Sequence, residues 1–391
     1  MDATELRELL TTEGLRLLDS LPPFDSGADV LRTVATLRKE GHAPALVAAV
    51  LNQSKLRSRA MPKFGPFAER MLFTEAGLEQ ATRLKVAALH AGRFRDAGVT
   101  SVADLGCGIG ADALALAAID LRVTGVERDE VTAAIAAYNL APFENATIEN
   151  ADATAIDLAG FDGVYLDPAR RSDARRLKDP ADWSPSLDFA FEIGSRLPTG
   201  VKLGPGIARD LIPAGVEAQW ISVDRDVVEL GVWFGAAARP GVGRSALVIG
   251  EHGTAELTAA ADSADVGLGA LGEYLYEPDG AVIRARLIGD LARSLDARMI
   301  SDQIAYLSTD AAVRTPFAVG FRVTETLPLD ERAIKKRLQA LGIGTLEIKK
   351  RGVDIDPAQF RAKLSLKGTN NATLFLTRVA GKRVALLAER L

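Results

Sequence analysis

The chain has 391 residues, 48% of them hydrophobic, with one cysteine (Cys107) and three scattered histidines (His42, His90, His252), a composition that excludes an internal disulfide and a cysteine-rich zinc site and speaks against a histidine metal cluster. No stretch approaches the roughly 18 uninterrupted apolar residues of a membrane helix, and "MDATELRELL" is acidic where a signal peptide is basic, which predicts a cytoplasmic protein that uses neither membrane nor metal. The net charge of −5 is polarised: residues 331–391 hold 14 Lys/Arg against 5 Asp/Glu, so a basic module that suits phosphates follows an acidic body, the alternative being a solvated basic surface.

Leu6, Leu9, Leu10, Leu17 and Leu18, then Val30, Leu31, Val34 and Leu37, recur at helical spacing. They predict a helical N-terminal segment over 1–95, broken at "LPPFDSG" and "MPKFGPF", with its last long helix from about Ala76 to His90. Between 96 and 238, short apolar runs alternate with amphipathic stretches, the pattern of a parallel sheet covered by helices. Strands are expected near 100–105, 122–127, 145–149, 162–167, 200–204, 218–223 and 229–235, a seven-strand α/β domain. "RSALVIG" and "TAELTAA" predict a small β appendage within a connector over 239–312, and residues 313–391 read as a compact basic α+β domain.

The chemistry begins in "VADLGCGIGADALALAA". Gly106, Gly108 and Gly110 let the backbone turn tightly between a strand and a helix, and the helix start offers free N–H groups. Glycines alone fit any nucleotide, including the nicotinamide of an oxidoreductase. Three acids narrow the choice. Asp104, two residues before the first glycine, suits a ligand carrying an ammonium or sulfonium and is unhelpful against a pyrophosphate. Glu127, closing the second strand, is placed to accept hydrogen bonds from two ribose hydroxyls, and Asp152, after the third, to accept one from an adenine amine. Ribose, adenine and a cationic amino-acid tail describe S-adenosyl-L-methionine.

The motif "ADLGCGIG" with these acids resembles the class I S-adenosylmethionine-dependent methyltransferases, which implies a Rossmann-like core. The resemblance implies that Asp104 and the glycines hold the methionine end, Glu127 the ribose, and that Asp152 lies by the adenine. In such a sheet Asp167, opening "DPAR" at the fourth strand tip, faces the transferable methyl. Methyltransferases acting on exocyclic base amines often carry two prolines and an aromatic ring after that acid. Here Pro168 is present, the second proline is Ala169 and the ring position is Arg170. Arg170 and Arg171 suit stacking on a base, pairing with a phosphate or clamping an acid of the protein, and a guanidinium beside the acceptor favours the substrate. "SDARRLKDPADWSP" adds Arg175, Arg176 and Trp183, cations with an aromatic interleaved, as single-stranded nucleic acid requires. Methylation at C5 of a pyrimidine usually needs a nucleophilic cysteine, and Cys107 lies inside the glycine turn, so a nitrogen or oxygen acceptor is expected. Upstream, "FTEAGLEQATRLKVAALHA" places Thr74, Glu75, Gln80 and Thr82 to close over the methionine end, or to pack a helix on the sheet edge, or both.

The helical N-terminus, "LEQAT", "DPARR", "GEYLYEPDGAVIRA" and "EIKKRGVDIDPAQFRAKLSLKG" together resemble a bacterial group of methyltransferase-like proteins with a C-terminal THUMP-like domain, distantly similar to trimethylguanosine synthases. THUMP domains are RNA-binding modules of RNA-modifying enzymes, so the resemblance implies an RNA substrate, tRNA or rRNA, gripped by Lys349, Lys350 and Arg351 among the C-terminal cations. A small-molecule methyltransferase and a non-catalytic cofactor- or RNA-binding protein are the alternatives. The oligomeric state is not legible.

Overall fold

The computed structural model describes residues 1–21, 27–168, 171–172, 175–176, 182–251 and 253–391, with only the backbone described for 27–32, 171–172 and 175–176. Arg170 and His252, singled out above, lie outside the described residues. Two compact units are present: Met1–Leu203 with Val232–Arg239, and Gly204–Gly231 with Pro240–Leu391.

The first unit opens with α1 (Ala3–Leu9), α2 (Thr12–Ser20), α3 (Gly27–Lys39) and α4 (Pro44–Phe64). Asp2 accepts the N–H groups of Thr4 and Glu5 while Glu5 accepts the N–H of Asp2, a reciprocal cap that starts α1. Leu6, Leu9, Leu17, Leu18, Val50 and Leu56 turn inward into one core with the sheet. The expected break at "MPKFGPF" falls at Gly65: Pro62 stays helical and the helix stops at that glycine, whose φ of 56° favours glycine. The expected helix over 76–90 is two, α5 (Glu75–Gln80) and α6 (Leu84–Asp96), joined by extended backbone at Ala81 and Arg83. Lys63 accounts for the gap. Its Nζ donates to the carbonyls of Leu78 (2.6 Å), Glu79 (2.8 Å) and Ala81 (3.0 Å), oxygens that a continuous helix would use internally.

Next come β1 (Ser101–Leu105), α7 (Ala111–Ala117), β2 (Arg122–Glu127), α8 (Glu130–Leu140), β3 (Ala146–Asn150) and β4 (Gly163–Leu166). After them lie the short β5 (Arg171–Ser172) and β6 (Arg175–Arg176), then α9 (Leu187–Gly194) and β7 (Thr199–Leu203). The main strands pair in parallel in the order β3-β2-β1-β4-β7. The chain therefore moves outward from β1 to β3 and returns to β4 on the other side of β1. That reversal opens a crevice at the carboxyl ends of β1 and β4, where open α/β sheets bind ligands. From Val232–Arg239, Trp233 packs its ring 5.6 Å from that of His90 and 6.0 Å from that of Phe94.

The second unit carries β8 (Glu217–Val223) and β9 (Asp226–Phe234, ending within the first unit), joined by Asp224 and Arg225 at φ 49° and 74°, a two-residue hairpin geometry. The expected β appendage is β10 (Arg244–Gly250) and β11 (Gly253–Ala259). It does not stand apart: β10 pairs in parallel with β8 and antiparallel with β11, because the apolar run of β10 is buried on both faces. The remainder is β12 (Tyr274–Pro278), α10 (Gly280–Arg284), α11 (Ile288–Ser294), β13 (Arg298–Met299), β14 (Leu307–Thr309), β15 (Ala318–Pro328), α12 (Glu331–Ala340), β16 (Ile343–Lys350), α13 (Pro357–Leu364), β17 (Asn370–Val379) and β18 (Lys382–Arg390). Seven of these strands form one sheet in the order β13-β14-β12-β15-β18-β17-β16, so "GEYLYEP" supplies a strand to the C-terminal domain. Ile334, Leu338, Phe360 and Leu364 of α12 and α13 pack with Leu374, Leu376 and Leu387 on one face. Leu275, Tyr306, Phe321, Phe375 and Leu386 form the core of the other. Among the described residues no helix is long and apolar enough to cross a membrane.

Asn139 ties the N-terminal segment to the glycine turn. Its side chain, buried on α8, accepts the N–H of Leu72 (2.8 Å) and donates to the carbonyls of Leu72 (3.1 Å) and Ile109 (2.9 Å). Asn139→Ala leaves those buried backbone groups without partners and is expected to cost about 2–3 kcal/mol in urea unfolding. A change within about 0.5 kcal/mol, as at a surface site, would contradict this role.

Candidate active site

Strand β1 is buried along its whole length and delivers Asp104 to its carboxyl end at 1% exposure. Burial pushes the Asp104 carboxyl well above the ordinary carboxylate range, Asp112 and Asp167 push the same way, and Lys202 opposes them. Its Oδ2 meets no hydrogen-bond partner among the described residues. A buried acid oxygen in that state is costly unless a ligand completes it, and a cationic group is the natural complement. The chain then turns through Gly106, Gly108 and Gly110, all at positive φ. At Gly106 (φ 83°) a Cβ would also press on the Asp167 carbonyl at 3.2 Å, so the turn after β1 and the tip of β4 touch only because this residue is glycine.

Glu127 closes β2 with both carboxylate oxygens oriented. Oε2 accepts the N–H of Gly108 (3.2 Å) and Oε1 that of Asp129 (2.9 Å), which leaves each oxygen capacity for a further donor. Asp152 follows β3 and is exposed; its Oδ1 accepts from the hydroxyl (2.7 Å) and N–H (2.8 Å) of Thr154, and those bonds hold its carboxyl below the usual range. Cys107 is buried in the turn, and burial, with Asp104 and Glu127 nearby, raises its thiol well above normal and so disfavours the nucleophilic thiolate.

Asp167 begins just past β4, its N–H donating to Leu105 at 3.3 Å, and its Oδ2 lies 2.5 Å from Lys202 Nζ. Lys202 also donates to Thr82 Oγ1 (3.0 Å). Thr82, buried at the α5–α6 break, donates to Asp112 Oδ2 (2.6 Å). Asp112 Oδ1 in turn lies 2.8 Å from His90 Nδ1, itself 2.9 Å from the Tyr165 hydroxyl. Burial disfavours ionisation of Asp112, yet His90, Lys202 and Thr82 together hold its carboxyl below the ordinary range. Sequence reasoning missed Lys202, and it gave Asp112, His90 and Tyr165 no place in the site. The available signal was a single charged residue inside an apolar run, Lys202 in "TGVKLG" and Asp112 in "ADALALAA".

Pro168 is buried behind Asp167. Arg171 and Arg175 lie on the small antiparallel ladder after it, where Arg171 faces Arg176 and Ser172 faces Arg175. In the second unit, Lys349, Lys350 and Arg351 do not form one patch, because strand alternation splits them. Lys349 lies 2.7 Å from Glu277 Oε2 and 3.2 Å from Glu347, and Arg351 3.8 Å from Glu277. Their cations sit over Phe321 and Tyr306 respectively. Lys350 is exposed, with no carboxylate partner among the described residues.

Residues 318–390 match the THUMP domain-like family, and residues 2–60 match a domain of unknown function, DUF8688. The chain is 34% identical over 350 residues to an uncharacterized S-adenosylmethionine-dependent methyltransferase of Mycobacterium tuberculosis, covering 86% of this chain and 93% of the relative, with the same figures for strains CDC 1551 / Oshkosh and ATCC 25618 / H37Rv. A crystal structure of a candidate methyltransferase from Porphyromonas gingivalis W83 has a TM-score of 0.72 and 21% identity, covering 94% of this chain and 99% of that one, and shows the same fold. The chain belongs to the S-adenosylmethionine-dependent methyltransferases. The unpartnered Asp104 oxygen beside an open glycine turn fits the cationic end of that cofactor.

A carboxyl whose folded-state pKa is raised lowers stability as pH climbs from its unfolded value toward the folded one. Asp104→Asn removes that liability together with the negative charge that fits a cationic ligand. The variant is expected to show a higher Tm at pH 7, a flatter loss of Tm above pH 4, and at least about tenfold weaker S-adenosylmethionine binding by calorimetry, the scale of a single charge-assisted hydrogen bond. Unchanged cofactor affinity would contradict the assignment.

Proposed function

We propose that this methyltransferase modifies a nitrogen, or an oxygen, of an RNA nucleotide in tRNA or rRNA. The observation that carries the RNA reading is a row of cations on the THUMP-like sheet. Lys350, Arg378 and Arg383 come from β16, β17 and β18, and the alternation of each strand puts them on the face that α12 and α13 cover. Arg378 and Arg383 are direct cross-strand partners. Like charges so placed repel, and an anion between them turns the cost into affinity. Arg378 is aimed by bonds from Nε to the Gly352 carbonyl (2.8 Å) and from Nη1 to that of Gly381 (3.1 Å).

S-adenosylmethionine, when bound, supplies an electrophilic methyl group on a sulfonium. Asp104 would take the ammonium of its amino-acid end, with the turn of Gly106, Gly108 and Gly110 beside it. Thr82 braces the segment over it through Asp112 and Lys202. Glu127, its two oxygens already aimed by Gly108 and Asp129, accepts the ribose hydroxyls, and Asp152 accepts from the adenine amine. At the tip of β4, Asp167 accepts a hydrogen bond from the acceptor's N–H or O–H, directs its lone pair, and takes up the proton as the new bond forms. Pro168 stiffens the backbone that carries it. Arg170, with Arg171 and Arg175 on the hairpin, pairs with the substrate's phosphates.

Asp167→Ala is expected to lower the rate of transfer to RNA by about 10²–10³-fold with cofactor affinity nearly intact; equal loss of both would remove Asp167 from the acceptor side. Reversing Lys350 and Arg383 to Glu is expected to weaken RNA binding and flatten its salt dependence, by about 0.7–0.9 in log–log slope for each phosphate no longer neutralised. Unaltered RNA affinity and slope would turn the reading toward a small-molecule acceptor.

A further inference from the structure

We propose that Lys202 is a positioning residue of the transfer reaction, holding one oxygen of Asp167 so that the carboxylate meets the acceptor in a single orientation. The inference rests on the reading of Asp167 given above. Strand β7 is otherwise buried, Lys202 is its one charged residue, and it keeps only 11% of its side chain exposed. A lysine is rarely placed there unless a partner compensates its charge. The register supplies the partner. The β4–β7 ladder ends with Leu166 opposite Val201, so Asp167 and Lys202 are the next residues on adjacent strand ends, and Nζ reaches Asp167 Oδ2 at 2.5 Å.

The second bond of Lys202, to Thr82 Oγ1 at 3.0 Å, anchors the ammonium to the extended link between α5 and α6. Thr82 is held in turn by Asp112, which His90 holds. The lysine is thus fixed from behind, and it fixes Asp167 in front. Asp167 remains one-third exposed, open toward an incoming group, whereas an ion pair that only filled space would be closed over. The same ammonium opposes the mutual repulsion of Asp104, Asp112 and Asp167. Lys202 acts through Asp167 and does not itself touch the reacting atoms.

The test uses the full-length chain, methyl-labelled S-adenosylmethionine and total RNA from cells lacking the gene. Lys202→Met is expected to lower kcat about 100-fold while KM for RNA and Kd for the cofactor stay within about threefold, and Lys202→Arg, which keeps the charge, to recover most of the loss. Wild-type kcat in Lys202→Met, with Asp167→Ala inactive, would overturn the role of Lys202 alone. Full activity in Asp167→Ala would overturn the reading of Asp167 and the proposal with it. Equal damage to kcat and cofactor affinity in both lysine variants would make the residue structural and also sink the proposal. A urea-unfolding cycle of Lys202→Met, Asp167→Asn and the double variant reads the pair without any acceptor: coupled changes are expected, and strictly additive ones would contradict the pairing.

Discussion

Three carboxylates meet where β1, α7 and the tip of β4 converge: Asp104, Asp112 and Asp167. Like charges at such range, two of them buried, cannot all ionise without counter-charge. The surroundings answer this constraint unequally. Asp112 receives His90 and Thr82, and Asp167 receives Lys202. Asp104 keeps an unpartnered oxygen. The unequal treatment underlies the proposed division of roles, with Asp112 in the framework, Asp167 on the acceptor side and Asp104 toward a cationic ligand. The sheet order produces this meeting, because β1 and β4 are neighbours whose carboxyl ends open on the same crevice.

The same constraint explains the N-terminal segment. Thr82 has to reach Asp112 and Lys202 from extended backbone, and the helix on either side of it is interrupted accordingly. Lys63 satisfies the carbonyls that this interruption exposes, and burial, with Arg83 and Lys202 adding to it, draws its ammonium down to about 8. Asn139 bonds both the segment before α5 and the glycine turn, so the two share one support.

Much of this was legible in the sequence. Short apolar runs ending in acids located β1, β2 and β4, and the spacing of Asp104, Glu127 and Asp152 around the glycines pointed to the cofactor the family uses. What escaped depended on residues distant in sequence. Lys202 meets Asp167 only through the β4–β7 register, and the gap between α5 and α6 depends on Lys63, fifteen or more residues away. The C-terminal cations show a related limit. A run such as "KKR" reads as one patch along the chain, yet a strand sends Lys349 and Arg351 to Glu277 and Lys350 to the other face. The row that replaces it, Lys350, Arg378 and Arg383, is assembled from three strands and has no signature in any single segment.

The central claim, that the crevice at β1 and β4 methylates RNA, is tested most directly by incubating the purified chain with methyl-labelled S-adenosylmethionine and total RNA from cells lacking the gene, then identifying the labelled nucleoside by mass spectrometry. One labelled tRNA or rRNA nucleoside, modified on nitrogen or oxygen, is the expected result. Cofactor binding without label in any RNA, or label on a pyrimidine C5, would contradict it.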